Sequence, residues 1–289
     1  MKKLLRLLII AALLSAAIYL INWSARGVAR YRDWENRILS EFSTEKAEIL
    51  IRKYDAEIKR KPLDGKFYYM RAMVYLLWAT KTKEPELYLA RMKGALDNLL
   101  AAEILLKGKK LQLLYRKMIV LYELKNYRES LHIAKILFKR NYMKSSTWNY
   151  LISSLSALGK IKEAVKFALD SPQMLKNREN LKTSSALCST LIKSGRFEDA
   201  EKILMTMLTS KNKAVRIKTL KFLGWLYYEK GNLSGAEKYF RKALDLEKNA
   251  ENYWLLGRIL QLEGKAQGEY YLRQAEKLGY RGGKVEVQP

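Results

Sequence analysis

The sequence predicts an all-α fold in which helices pair and stack, and three observations lead to this prediction. Proline is scarce, with 4 residues in 289, whereas residues that favour helices are abundant. Apolar residues recur at i, i+3, i+4 and i+7 in segments that glycine or asparagine interrupts. A small residue also recurs 34, 36 and 36 positions apart, at Ser130, Ala164, Ala200 and Ala236. An interval of this size predicts tandem helix pairs that share one core.

The sequence around these small residues is similar in each repeat. Each copy has a turn with glycine or asparagine, then an apolar residue, then the small residue three positions later. The copies read ELKNYRESLHIAKIL (123–137), ALGKIKEAVKFALDS (157–171), KSGRFEDAEKILMTM (193–207) and EKGNLSGAEKYFRKA (229–243). Because a small residue lets two helix backbones approach closely, we expect the turn to join the two helices of a pair.

The clearest copy, residues 217–250, resembles the tetratricopeptide repeat. It carries the family's apolar, apolar, small and aromatic pattern in its first helix and the small, aromatic, small pattern in its second. The matching residues are Leu220, Leu223, Gly224, Tyr227, Ala236, Phe240 and Ala243. Lys248 stands where the family usually has proline, and looser copies extend the resemblance to about residues 111–280. The resemblance implies a right-handed α-solenoid whose concave surface is lined by first helices.

The N-terminal segment predicts a membrane anchor. Residues 7–23 carry no charge and would span about 25 Å as a helix, close to the lower limit for crossing a bilayer. Tyr19 and Trp23 lie near the far end of this run, where aromatic side chains favour the headgroup region. A cleavable signal peptide is the alternative, but its apolar core is usually shorter. Basic residues flank both ends of the run, so the preference for a periplasmic body is slight.

Four regions follow from these patterns. We predict a membrane anchor over 1–25, a helical region with degenerate repeats over 26–110, a repeat array over 111–280 and a flexible tail over 281–289. Within the degenerate region, residues 34–60, 67–82 and 85–106 each have the pattern of one helix. The whole is expected to be a single-pass protein of the bacterial inner membrane.

Catalytic and metal-binding motifs are absent from the sequence. It contains no GxxxxGK[ST], GxGxxG or HExxH pattern. One cysteine, Cys188, and one histidine, His132, are too few for an intramolecular disulfide or a zinc site of these ligands. Neither has a partner nearby in the sequence that would activate it as a nucleophile. We therefore expect no enzyme activity, no cofactor, no metal and no small-molecule substrate.

The family resemblance also implies where a partner would bind. In the family, ligand-facing side chains come mostly from the first helix of each pair. Carried over by register, the candidates combine aromatic rings with polar and basic groups, which suits a peptide. They are Tyr115, Tyr122, Asn149, Ser153, Lys182, Lys218, Lys221, Trp225, Tyr228, Trp254 and Arg258. Packing of Tyr115, Trp225 and Trp254 between adjacent repeats is the alternative interpretation.

We expect a scaffold or assembly factor that holds a protein or peptide at a bacterial membrane, and the charge distribution leaves other functions open. The net charge is +26, and residues 52–144 hold 22 basic against 9 acidic residues. Such a surface suits anionic lipid, polysaccharide or nucleic acid, although a solvated lysine-rich surface explains it equally well. A structural subunit of a larger membrane complex is a further alternative.

Overall fold

The computed structural model describes residues 31–106 and 110–280, and all regular structure within these ranges is helical. The predicted anchor at 7–23 and the predicted tail at 281–289 lie outside the described residues. Of the helices in the described ranges, none is both long and apolar enough to span a bilayer. The chain divides into two compact units, of which unit 1 ends at Tyr142 and unit 2 begins at Met143.

Unit 1 has six helices in its described part. The first, α1, is helical over 31–41. It is followed by α2 (Ala47–Arg60), α3 (Gly65–Thr80), α4 (Pro85–Leu105), α5 (Leu111–Glu123) and α6 (Tyr127–Lys139). From α2 onward, each helix packs against the next one along the chain. Because only a few residues separate these neighbours along the chain, they run antiparallel.

The structure corrects the prediction of one helix over residues 34–60. Here α1 ends at residue 41, and α2 begins only at Ala47. In the turn between them, the Lys46 amide donates to the Ser43 carbonyl at 3.1 Å. Serine and threonine favour such turns because their hydroxyls compete for nearby backbone groups, and the chain has Ser43 and Thr44 here.

A buried ion pair fastens α1 to α5. Arg116 donates two hydrogen bonds to the Glu35 carboxylate, from Nε to Oε1 at 2.9 Å and from Nη2 to Oε2 at 2.8 Å. Oε1 also accepts from the Tyr69 hydroxyl at 2.5 Å and from Gln112 Nε2 at 2.7 Å. Burial opposes ionisation of Glu35, but the hydrogen bonds and charge of Arg116 outweigh it and lower the pKa of Glu35. The carboxylate is therefore held as an anion inside unit 1.

Unit 1 should lose stability in acid because of this carboxylate. The folded pKa of Glu35 lies below its ordinary value of 4.5, so its contribution is complete above that value and is lost as the pH falls through the folded pKa. We expect the melting temperature of the full chain to drop below about pH 5, and Glu35→Gln to flatten that drop. Thermal melts by circular dichroism at several pH values would measure it. Equal pH dependence in both proteins would show that other carboxylates control acid unfolding.

Unit 2 consists of four helix pairs and a short insertion in its described part. Its helices are α7 (Lys144–Ala157), α8 (Ile161–Leu169), α9 (Pro172–Leu175), α10 (Leu181–Lys193), α11 (Phe197–Leu208), α12 (Lys213–Glu229), α13 (Leu233–Leu246), α14 (Ala250–Leu262) and α15 (Gln267–Lys277). The pairs are α7/α8, α10/α11, α12/α13 and α14/α15. The short α9 and a 3-10 turn at Arg178–Asn180 join the first pair to the second.

The same turn recurs within every pair from α5/α6 to α14/α15. Each turn contains a residue in the left-handed conformation, with φ between 61° and 75°. The next amide donates to a carbonyl five residues back, at 2.8–2.9 Å in all five turns. The left-handed residues are Lys125, Gly159, Gly195, Gly231 and Gly264. This repeated helix stop explains the glycine-containing turns of the sequence, since glycine adopts positive φ without strain.

Small residues bring the two helices of each pair into close contact. Ala164, Ala200 and Ala236 are all fully buried. A Cβ atom at Gly224 of α12 would lie 2.5 Å from the ring of Phe240 in α13. The packing predicted from the repeat interval is therefore present in unit 2.

Cys188 lies within this packing. Its side chain in α10 is fully buried, and burial raises the pKa of its thiol. The thiol is therefore held protonated, which makes it a poor nucleophile.

Candidate functional site

The first helices of unit 2 form a row. Helix α10 contacts both α7 and α12, and Lys221 of α12 reaches Glu251 of α14. Because the repeats share one register, equivalent residues of neighbouring first helices lie on the same face. One position of the repeat holds Asn149, Ser185, Lys221 and Trp254, and the position four residues later holds Ser153, Ser189, Trp225 and Arg258. We call these residues, with Lys182, Lys218 and Tyr228, the first-helix surface.

The two lysines that α12 contributes to the first-helix surface, Lys218 and Lys221, differ in ion pairing. Lys221 is only 7% exposed, and its Nζ donates to Glu251 Oε2 at 2.6 Å. Lys218, one turn earlier, is half-buried, and its Nζ lies 5.4 Å from the centroid of the Phe222 ring. Burial and then the charge of Lys221 lower the pKa of Lys218, against the opposing effect of Glu251. No carboxylate of the described residues forms an ion pair with Lys218, so the cluster has one positive charge in excess.

The aromatic rings of this surface differ in exposure. Trp225 is only 2% exposed, and its Nε1 donates to Glu229 Oε1 at 2.8 Å, so packing fixes this ring inside unit 2. Trp254 is half-buried, and its ring centroid lies 5.2 Å from that of Tyr280. Burial and then the charge of Glu251 raise the pKa of Tyr280. Trp254 occupies the repeat position of Lys221 on the next first helix, so its contact with Tyr280 lies on the same face as the lysine.

Several polar atoms of the surface are buried without a hydrogen-bond partner among the described residues. They are Asn149 Oδ1, Ser185 Oγ and Arg258 Nε. The neighbouring Nη1 of Arg258 does have a partner, because it donates to Gln261 Oε1 at 2.5 Å. A buried polar atom without a partner is costly, so a water or a ligand group at these positions would stabilise the protein.

The remaining candidates are distributed over both units. Lys182 is exposed, and Ser153 and Tyr228 are half-buried on the first-helix surface. Tyr115 and Tyr122 belong to unit 1. Tyr115 is 8% exposed and meets the Tyr142 ring edge-on at 6.0 Å, whereas the half-buried Tyr122 lies 5.2 Å from the Tyr127 ring. The structure thus places nine of the eleven candidates in the row of first helices of unit 2.

Glu251 and Tyr280 belong to this site, although the sequence analysis did not select them. Glu251 occupies the repeat position of Lys182 and Lys218. An acidic residue at a position that holds lysine in the two preceding repeats is a signal by which the sequence could have indicated Glu251. Tyr280 follows the last helix, where no repeat pattern places it. Within the described ranges, no group of His, Cys, Asp and Glu side chains could hold a metal ion.

The fold and this surface define a protein built from tandem helix pairs. A family model described as "Tetratricopeptide repeat" matches residues 217–250, which form α12 and α13. A second family model, described as "PPR repeat", matches residues 146–167 in the α7/α8 pair. Together with the turn that recurs in five successive pairs, these matches support a protein of the tetratricopeptide-repeat type.

Solved structures similar to this chain include other repeat proteins at low sequence identity. MamA from Desulfovibrio magneticus RS-1 is 19% identical, over 59% of this chain and 96% of that chain, with a TM-score of 0.42. Pseudomonas aeruginosa pilF is 17% identical, over 83% and 99%, with a TM-score of 0.44. YrrB, "a TPR protein with an unusual peptide-binding site", is 15% identical, over 73% and 97%, with a TM-score of 0.44. No curated protein matches the chain at a significant level.

Proposed function

We propose that this protein is a non-enzymatic scaffold that binds an acidic peptide segment of a partner protein on the first-helix surface of unit 2. The observation that carries the proposal is the half-buried Lys218, which has no ion pair among the described residues. A carboxylate of the partner would neutralise this excess charge through a charge-assisted hydrogen bond. Lys182, at the same repeat position on α10, would extend the attraction to a second acidic group.

The other groups of the surface suit an extended peptide. The half-buried ring of Trp254 offers rigid contact area beside the lysines. Asn149 Oδ1 and Ser185 Oγ have no hydrogen-bond partner among the described residues. A small rotation of each side chain would let it bond the peptide backbone of a bound segment. Specificity would then come from the lysines and the ring, and sequence-independent affinity from the polar atoms.

The membrane context is part of the same proposal. The uncharged run at 7–23 supports a retained single-pass anchor in the bacterial inner membrane. The basic start at Lys2 and Lys3 gives a slight preference for a body on the periplasmic side. The right-handed course implied by the family resemblance would place the first helices on a concave surface. An anchored array would raise the local concentration of its partner at the membrane, as an assembly factor requires. A reporter that is active only outside the cytoplasm, fused after Pro289, would test on which side of the membrane the body lies.

Reversal of one charge tests the peptide site. We expect Lys218→Glu to weaken binding of an acidic peptide at least about tenfold, because a half-buried cation becomes an anion that repels it. Lys218 is preferable to Lys221, whose replacement would also break the ion pair with Glu251. Binding is measured by fluorescence anisotropy with the best acidic member of a peptide array and with its matched amide (Asn/Gln) version.

Lys202→Glu is the matched control for this experiment. It makes the same change in net charge at an exposed position of the second helix α11. We expect nearly unchanged affinity for this variant, because exposed charges at a distance are screened by salt. Equal losses in both variants, or equal binding of the acidic and amide peptides, would remove Lys218 from the proposed site.

A further inference from the structure

Three helices of unit 1, α1, α3 and α5, begin at the same end of the unit. Lys110, at the start of α5, has its Nζ 5.6 Å from the ring centroid of Tyr31, the first described residue of α1. Lys66, at the start of α3, has its Nζ 5.9 Å from the ring centroid of Trp34. The starts of α1, α3 and α5 therefore meet at the same end of this antiparallel stack.

The turn before α3 and the last turn of α4 also lie at this end. A Cβ at Gly65 would lie 2.7 Å from Leu106 Cγ, so these two segments touch. We call this end the α1 end, which comprises the starts of α1, α3 and α5, the turn Lys61–Asp64 and the C-terminal turns of α2 and α4. The described part of α1 thus begins at this end, only a few residues after the predicted membrane anchor.

Two aliphatic side chains protrude from the α1 end. Leu63, in the turn before α3, is 81% exposed, and Ile104, in the last turn of α4, is 76% exposed. They are the two most exposed large hydrophobic side chains of the described residues. Removing such side chains from water is favourable, so this end suits a partner with an apolar phase.

Basic side chains lie at the same end of unit 1 as the two aliphatic ones. Arg32, Lys59 and Lys61 are exposed, and none of them forms an ion pair with another described residue. The acidic residues in these segments are Asp33, which is exposed, and Asp64, whose side chain caps α3 by accepting from the Lys66 amide at 3.0 Å. Two more, Glu57 and Glu103, form ion pairs with Arg60 and Lys117. The three unpaired cations therefore outnumber Asp33 and Asp64, and the α1 end carries a net positive charge.

We propose that the α1 end of unit 1 docks on the anionic headgroups of the bilayer, with Leu63 and Ile104 inserted among them. The inference rests on the retained anchor proposed above. Residues 24–30 alone separate the predicted span from Tyr31, and a chain of this length extends at most about 30 Å. The α1 end is therefore confined near the membrane surface, where lysines attract anionic lipid and aliphatic side chains enter the acyl boundary.

Nucleic acid fits this end less well than a bilayer does. Phosphate groups would pair with Arg32, Lys59 and Lys61, but the backbone of a nucleic acid offers no apolar phase for Leu63 and Ile104. An anionic lipid surface provides both an apolar phase for the aliphatic side chains and negative headgroups for the cations.

Fluorescence quenching by labelled lipid tests the docking. Leu63→Cys, Ile104→Cys or Ile49→Cys is introduced singly into the full-length chain, since the native Cys188 is fully buried and does not compete for the label. Ile49 is the matched control, because it is 65% exposed but lies in the first turn of α2, at the opposite end of the helices. Each protein is labelled with bimane and reconstituted with nitroxide-labelled lipid. One set of vesicles is phosphatidylcholine, and the other is equal parts phosphatidylcholine and phosphatidylglycerol.

We expect quenching at positions 63 and 104 in the anionic vesicles, less in the neutral ones, and none at position 49. Lys59→Glu with Lys61→Glu should reduce the docked-to-free ratio of this end about fivefold for each lysine, while the protein still floats with the vesicles. Equal quenching at all three positions, or none at 63 and 104 in anionic vesicles, would overturn the docking.

Two further outcomes distinguish docking on lipid from the proposed peptide binding and from binding of nucleic acid. If the full chain does not float even with neutral vesicles, the anchor is absent and the docking proposal falls with it. Peptide binding by Lys218 is measured independently and would stand in that case. A bimane response to a single-stranded RNA oligonucleotide but not to anionic vesicles would assign the α1 end to nucleic acid and overturn its docking on lipid.

Discussion

Gly268→Ala should lower the free energy of unfolding of unit 2 by about 2–3 kcal/mol. Gly268 lies in the first turn of α15, directly against the backbone of α14. A Cβ there would lie 2.8 Å from the amide nitrogen of Gln261 and 2.9 Å from the carbonyl oxygen of Gly257. Since these are backbone atoms, they cannot rotate away as a side chain can, and the two helices must separate. Urea unfolding followed by far-UV circular dichroism would measure the change.

Gly94→Ala provides the control for this substitution. Gly94 is interior to α4, where a Cβ would lie 3.2 Å from ring atoms of Tyr75. The ring can shift, and alanine favours the helix by about 1 kcal/mol, so we expect a change of less than about 1 kcal/mol. If Gly268→Ala unfolds at the same urea concentration as the unmodified protein, α14 and α15 are not in backbone contact.

Glu35→Met should lower the free energy of unfolding of unit 1 by about 3–5 kcal/mol. The substitution leaves the half-buried guanidinium of Arg116 without its anion, and it removes the shared acceptor of Tyr69 and Gln112. The cost comes mainly from the isolated charge, because an unpaired charge inside a protein is strongly disfavoured.

The double variant Glu35→Met with Arg116→Met separates this cause from a simple loss of packing. It removes both charges and keeps side chains of similar length, so we expect it to regain about half or more of the lost stability. Urea titrations of the parent, the two single variants and the double variant complete the cycle. If the two losses add without recovery, the ion pair is not the source of the effect.

The repeat arrangement of unit 2 could be predicted because its signals are local. Each pair contains a glycine that stops the first helix and a small residue that admits the second, and both are visible in the sequence. Gly231 and Ala236 show this in the clearest copy, where the glycine has φ of 75° and the alanine is fully buried. Where Lys125 takes the place of glycine, the same turn forms at φ of 61°, but the sequence signal is weaker.

Other features could not be predicted because they depend on residues distant in sequence. The pairing of Glu35 with Arg116 joins residues 81 positions apart, and no pattern within α1 indicates it. The break between α1 and α2 depends on a turn at Ser43 that helical periodicity alone does not resolve. The short helix α9 lies between two repeats, where the repeat register places no element.

In the candidate site, too, the local repeat pattern could be predicted and the contacts between distant residues could not. The register correctly places Lys221 and Trp225 on first helices, but it does not determine their exposure. Lys221 is buried and bonds Glu251 of the next repeat at 2.6 Å, and Trp225 is buried within unit 2. The packing of each residue, which the register does not contain, therefore decides which candidates a partner can reach, and binding by these residues stays a prediction.

The burial of Cys188 gives the chain a built-in measure of local opening. It is the single cysteine in the sequence, and α10 must separate from its neighbours before a reagent can reach it. When opening is rare and reclosing is fast, the rate of alkylation is proportional to the population of the open state. Ser185 and Ser189 of the first-helix surface lie on the same helix. A ligand that bridges α10 and α12 would slow the alkylation of this thiol, so its occupancy could be followed in the unmodified protein without a denaturant or an attached probe.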